Sequence, residues 1–143
     1  MNQETAIPPK LQAIIDDFRD SDRDEKLELL LDFADRMPDL PEHLRGHQGM
    51  EQVHECMSPV FVVAEGNSGK VHFYFDVPAE APTTRGYASL LAAGMNDLSV
   101  NAIVAVPNDF FLHMGLHQVL SPQRLNGISA ILAYMKRQAL KLA

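Results

Sequence analysis

The chain has 143 residues, 46% of them hydrophobic and 22% charged, with a net charge of -7. That length fits one domain, spanning 1–143, around one core, and the acidic balance argues against nucleic acid or an anionic membrane surface as the main partner, because both select basic patches. A single cysteine excludes an intramolecular disulfide and the thiolate sets that hold iron–sulfur centres or structural zinc.

Residues 1–7 read as a polar, frayed lead. No apolar run follows a basic start there, and no uncharged apolar stretch approaches the ~18 residues a membrane span needs, so the expected setting is the cytoplasm, where a free thiol stays reduced. After Pro8-Pro9, Leu11, Ile14, Ile15 and Phe18 follow i, i+3, i+4, i+7 spacing, which predicts a helix over about 9–19. Ser21 reads as the cap of a second helix, with Asp24 closing a capping box. Leu27, Leu30, Leu31 and Ala34 carry that helix on, and Pro38 ends it near Arg36. The stretch 38–50, with its prolines, glycines, His43 and His47, reads as an irregular loop.

Two strands are predicted over 59–65 and 70–77, joined by the turn Gly66-Asn67-Ser68-Gly69. In the second, Val71, Phe73, Phe75 and Val77 alternate with His72, Tyr74 and Asp76. Residues 52–56 can add a third strand. Helices are predicted over 84–93, over 100–106 after a Ser99 cap, over 108–114 closed by Gly115, and from Ser121-Pro122 to the C-terminus. The sum is an α+β fold: a small antiparallel sheet of about three strands with helices mainly on one face.

Cys56 sits where a loop turns into an apolar, β-branched run. It reads either as a small buried hydrophobe or as a nucleophile or sulfur carrier, with Met57, Val60 and Phe61 able to cover it. His43, His47 and His54 lie near it in sequence, but their spacing fits no standard zinc site, and no metal is expected. A cysteine hydrolase with His54, His113 or His117 as base is a further reading. Arg85 and Arg124 each fall in the first turn of a helix, where a cation opposes the dipole. Such residues are either solvated or engaged with an anion or a loop. Gly127 costs a helix interior about 1 kcal/mol against alanine, which points to close approach by another segment.

Four stretches in order resemble the SufE-like proteins. Met37-Pro38-Asp39-Leu40-Pro41 is similar to the family's L-P-x-L-P, and Val53-x-x-Cys56-x-Ser58-x-Val60-Phe61 to its V-x-G-C-x-S-x-V-W. Arg85-Gly86 matches a basic residue and glycine at a helix start, and Leu116-x-x-x-Leu120-Ser121-Pro122-x-Arg124-x-Asn126-Gly127 matches L-x-x-x-L-S-P-x-R-x-N-G. The chain departs from the pattern at Glu55, Pro59, Phe61 and Val119, where the family commonly has glycine, glutamine, tryptophan and histidine.

The resemblance implies a SufE/IscU-like fold. It also implies a sulfur-acceptor protein that takes persulfide sulfur onto Cys56, stimulates the donor desulfurase and passes sulfur to an iron–sulfur cluster assembly scaffold. Arg124, Arg85 and Glu80 then brace the loop or meet the partner. No cofactor is implied for this chain, since pyridoxal phosphate belongs to the partner cysteine desulfurase. Two rivals remain open: an adaptor that binds the desulfurase without taking sulfur, motivated by Glu55 and Pro59, and the hydrolase.

Overall fold

The structure, a computed structural model, describes residues 7–143. The frayed lead therefore falls outside the described residues except for Ile7, which packs against the core. Helix α1 (Pro9–Arg19) and helix α2 (Arg23–Asp35) follow each other as expected, but they pack mainly on a later helix rather than on each other. The cap of α2 differs from the expectation. Asp22, not Ser21, accepts from the Glu25 N–H at 2.8 Å, and Glu25, not Asp24, reaches back to the Asp22 N–H at 2.9 Å. The capping box needs its acidic partner three residues after the cap, and Asp22 with Glu25 meets that one step later than the sequence reading placed it.

The sheet is antiparallel, with β1 (Glu51–Gln52), β2 (Phe61–Asn67) and β3 (Lys70–Asp76) in that order. The third strand is shorter than expected and ends before Cys56. Ser68 and Gly69 form a two-residue turn with φ of 54° and 80°, the backbone sign that a tight hairpin turn requires. Register follows from it: Asn67 faces Lys70, and Phe61 faces Asp76. Val71, Phe73, Phe75 and Val77 are buried, as their alternation implies, while His72, Tyr74 and Asp76 are half-buried.

Helix α3 (Pro82–Met95) packs on β3 and lies between α1 and α2. Helix α4 (Val100–Val104) is capped by Ser99, whose hydroxyl accepts from the Ala102 N–H at 3.2 Å. The segment 110–114 is a 3-10 helix rather than an α-helix; Gly115, at φ 72°, ends it as expected, and a second 3-10 turn follows at Leu116–Gln118. Helix α5 (Pro122–Leu140) starts at the predicted Ser121-Pro122 and runs along β2. No helix is long and apolar enough to cross a membrane among the described residues.

The core depends on backbone-close contacts to α3. A Cβ on Gly86 would stand 2.0 Å from the Leu30 carbonyl oxygen in α2, and one on Gly94 would stand 3.1 Å from the Leu11 Cα in α1. Next to Gly86, Arg85 donates from Nε to the Ala34 carbonyl at 3.1 Å and from Nη1 to the Val77 carbonyl at 2.6 Å. Ala34 lies in the last turn of α2, where carbonyls lack helical partners. The unfavourable start of one helix is thus offset at the end of another.

Gly86→Ala is expected to destabilise the chain by about 3 kcal/mol or more, because a backbone carbonyl cannot move aside as a side chain can. Gly66→Ala serves as the control, since its Cβ would meet only Leu142 Cδ1 at 3.7 Å. Urea unfolding of both variants checks the contrast, and equal midpoints would refute it.

Candidate functional site

Cys56 lies in the loop between β1 and β2. The loop is closed at its base, where the Val53 N–H donates to the Val60 carbonyl at 2.8 Å, and it turns back on itself through the Cys56 N–H and the Val53 carbonyl at 3.3 Å. Val53 and Val60 are both fully buried. They anchor the base in the core, and the residues between them lie against the start of α5.

The contact with α5 is made at Gly127. The Cys56 thiol donates to the Gly127 carbonyl at 3.5 Å. A Cβ on Gly127 would come within 3.3 Å of both the Cα and Sγ of Cys56. Close approach of another segment, read from a glycine inside a helix, is what the structure shows. One side of the thiol is therefore covered by helical backbone. Of the residues expected to cover it, Val60 belongs to the core and Phe61 stacks on His47 with ring centroids 3.7 Å apart, whereas Met57, 68% exposed, lines the cleft beside Cys56.

The sulfur faces a cleft of about 10 Å³, lined by Cys56, Ser58, Thr84, Arg124, Gly127 and Ile128 among others. That is room for about one water-sized atom. Arg124 is exposed at the rim, and its Nη1 donates to Thr83 Oγ1 at 3.4 Å. It thereby ties the start of α5 to the start of α3. Burial, reinforced by the Glu55 carboxylate, pushes the Cys56 thiol up to about 11. At pH 7 the thiolate fraction is then on the order of 10⁻⁴ in this conformation.

Glu55 does not simply point at the sulfur. Its Oε1 accepts from the Tyr134 hydroxyl of α5 at 2.8 Å. Accepting that proton keeps the Tyr134 phenol above its usual range.

The remaining sequence-derived candidates lie elsewhere. Arg85 holds α2 and β3 as described and does not reach the cysteine loop, so its bracing is of the scaffold. Glu80 is exposed in the turn before α3 and is not among the residues lining the cleft. His43 pairs with Glu65 at 2.8 Å and His47 with Asp76 at 2.6 Å, which pins the loop 38–50 over the outer face of the sheet. His54, His113 and His117 are exposed and do not line the cleft. Among the described residues, no three His, Cys, Asp or Glu side chains group as metal ligands.

Sequence reasoning missed Thr84 and Tyr134. Thr84 follows only from the packing of α3 on α5. Tyr134 stands seven positions after Gly127, on the same helix face, but that signal is usable only once Gly127 is known to face the loop.

The family profile described as "SufE: Fe-S metabolism associated domain" matches residues 12–139. The chain belongs to the SufE-like family. An uncharacterized SufE-like protein of Mycobacterium tuberculosis is 45% identical over 139 residues, 96% of each chain. SufE-like protein 1, chloroplastic/mitochondrial, of Arabidopsis thaliana is 30% identical over 95% of this chain and 36% of its own length. The solution structure of a hypothetical protein from Thermus thermophilus superposes with a TM-score of 0.84 at 36% identity, covering 94% of this chain and 96% of that one. The fold is therefore the SufE-like α+β fold, and the family ties the chain to iron–sulfur metabolism.

Because α5 backbone shields the thiol, Gly127→Ala should push the loop outward and speed alkylation of Cys56 severalfold. Stability should change by no more than about 1 kcal/mol, since the gain in helix propensity offsets the displacement. In the wild type, the alkylation rate should keep rising through pH 9 toward about 11. Timed alkylation read by mass spectrometry checks both, and a plateau at the value of a free cysteine would contradict the burial.

Proposed function

We propose that this SufE-like chain is a sulfur carrier that takes persulfide sulfur from a pyridoxal-phosphate-dependent cysteine desulfurase onto Cys56, stimulates that enzyme by removing its product, and passes the sulfur to a cluster assembly scaffold. The observation that carries the reading is the setting of Cys56: a half-buried thiol at the mouth of a cleft with space for about one further atom. A terminal persulfide sulfur is easily stripped by free thiols, and a cysteine packed against the α5 backbone limits their access.

The step is a thiol exchange. The Cys56 thiolate attacks the outer sulfur of the desulfurase persulfide; a new S–S bond forms at Cys56, the donor S–S bond breaks, and the desulfurase cysteine leaves as thiolate. No net electron or proton is gained or lost. Arg124 is exposed at the cleft rim and available to a docking partner. Delivery to the scaffold repeats the exchange with Cys56 as donor.

A second reading, an adaptor that binds the desulfurase without taking sulfur, draws on one observation. The thiol in this closed conformation is held near 11, partly by Glu55, so exchange needs the loop to open on docking.

Intact-mass measurement after incubation with a cysteine desulfurase and cysteine tests the proposal. Wild-type protein should gain sulfur on Cys56, removable by a thiol reductant, whereas Cys56→Ser should bind the desulfurase and gain none. Arg124→Ala should keep its melting temperature and transfer roughly fivefold to tenfold more slowly, the effect of removing a charge at the rim of a docking surface. Bound desulfurase with no sulfur on wild-type Cys56 would leave the adaptor reading in its place.

A further inference from the structure

One face of α5 holds the segment around Cys56 at three levels. Below the loop, Glu51 of β1 accepts from Arg137 at 2.5 Å and from Gln138 at 3.1 Å. Beyond the loop, the Ala64 N–H of β2 donates to Gln138 Oε1 at 3.4 Å. These contacts anchor strands. The loop tip is held by two others: the Cys56 thiol on the Gly127 carbonyl, and Glu55 on the Tyr134 hydroxyl.

The two tip contacts respond differently to the chemistry. A thiol is a weak donor, and once ionised it has no proton to donate and faces a carbonyl oxygen. The Glu55–Tyr134 bond joins a carboxylate to a neutral donor, the stronger kind, and it persists when Cys56 ionises. The Tyr134 ring is itself fixed: it is 9% exposed, and the Arg137 guanidinium lies 4.4 Å from its centroid. A rigid donor on a helix faces a carboxylate next in sequence to the reactive sulfur.

We infer that Tyr134 is a positioning residue for Cys56: by donating to Glu55 it latches the cysteine loop onto α5 and sets how often the thiol is presented to a partner. The inference rests on the carrier reading for its role in transfer, but the latch itself is a property of the free protein. Docking works against the latch, so the apparent affinity for the desulfurase is reduced by the fraction of time the loop is open.

Tyr134→Phe removes only the hydroxyl and keeps the ring under Arg137. In the free protein at fixed pH it should speed alkylation of Cys56 by roughly threefold to tenfold, the range for losing a partly exposed hydrogen bond to a charged group. Glu55→Ala should speed it at least as much, having lost both acceptor and charge. Adding Tyr134→Phe to Glu55→Ala should then change the rate by less than about twofold, because the partner is already gone. A tyrosine needed only for packing would act equally in both backgrounds, and that result, or an unchanged rate in Tyr134→Phe alone, overturns the latch. In the transfer assay, Tyr134→Phe should lower the half-saturating concentration of the chain by the factor seen in alkylation. If the alkylation pattern holds and no sulfur reaches Cys56, the carrier reading fails and the latch stands. If sulfur arrives and the Tyr134 variant alkylates like wild type, the latch fails and the carrier stands.

Discussion

The contact on which the site depends is backbone to loop, at Gly127. A helix surface ordinarily keeps a neighbouring chain at side-chain distance. The missing Cβ lets the Cys56 loop reach the α5 backbone, with the sulfur against a carbonyl. This one approach half-buries the thiol, closes the cleft on one side, and brings Glu55 within reach of Tyr134. The glycine costs α5 about 1 kcal/mol of helix propensity, a cost the loop contact offsets.

Helix α3 applies the same device to the scaffold. Gly86 admits the α2 backbone and Gly94 admits α1, so the first two helices close onto α3 at short range, and α3 in turn packs on β3. Arg85 joins the end of α2 to the end of β3, and the same helix start presents Thr83 to Arg124 and Thr84 to the cleft. Scaffold and site share the first turn of α3, and Arg85, one of the site candidates, also holds the frame.

The thiol is held above its usual pKa in the closed conformation, and the physical causes add. Burial disfavours the thiolate first, and the neighbouring carboxylate disfavours it further. Under the carrier proposal, low reactivity at rest would protect the thiol until docking. The carboxylate that depresses reactivity is also the handle by which α5 grips the loop.

The sequence alone determined the local structure. Periodicity placed α1, α2, β3 and α5; Ser99, Ser121, Gly115 and the turn at Ser68-Gly69 stand where their side chains or backbone freedom require. The SufE-like motifs and the α+β order were legible for the same reason: each is a run of neighbours whose spacing states which face is apolar or which φ is needed. The 3-10 geometry of 110–114 and the one-step shift of the α2 cap mark the limit of local signals. What tertiary structure decided lies between distant residues: Glu55 with Tyr134, 79 positions apart, Cys56 with Gly127, 71 apart, and Arg85 with Ala34, 51 apart. Those pairings depend on how each helix is rotated and how far it slides along its neighbour, and no local pattern encodes either quantity. Local propensity therefore located the cysteine at a loop–strand boundary, and packing against α5 decided how its loop is held and how its sulfur is shielded.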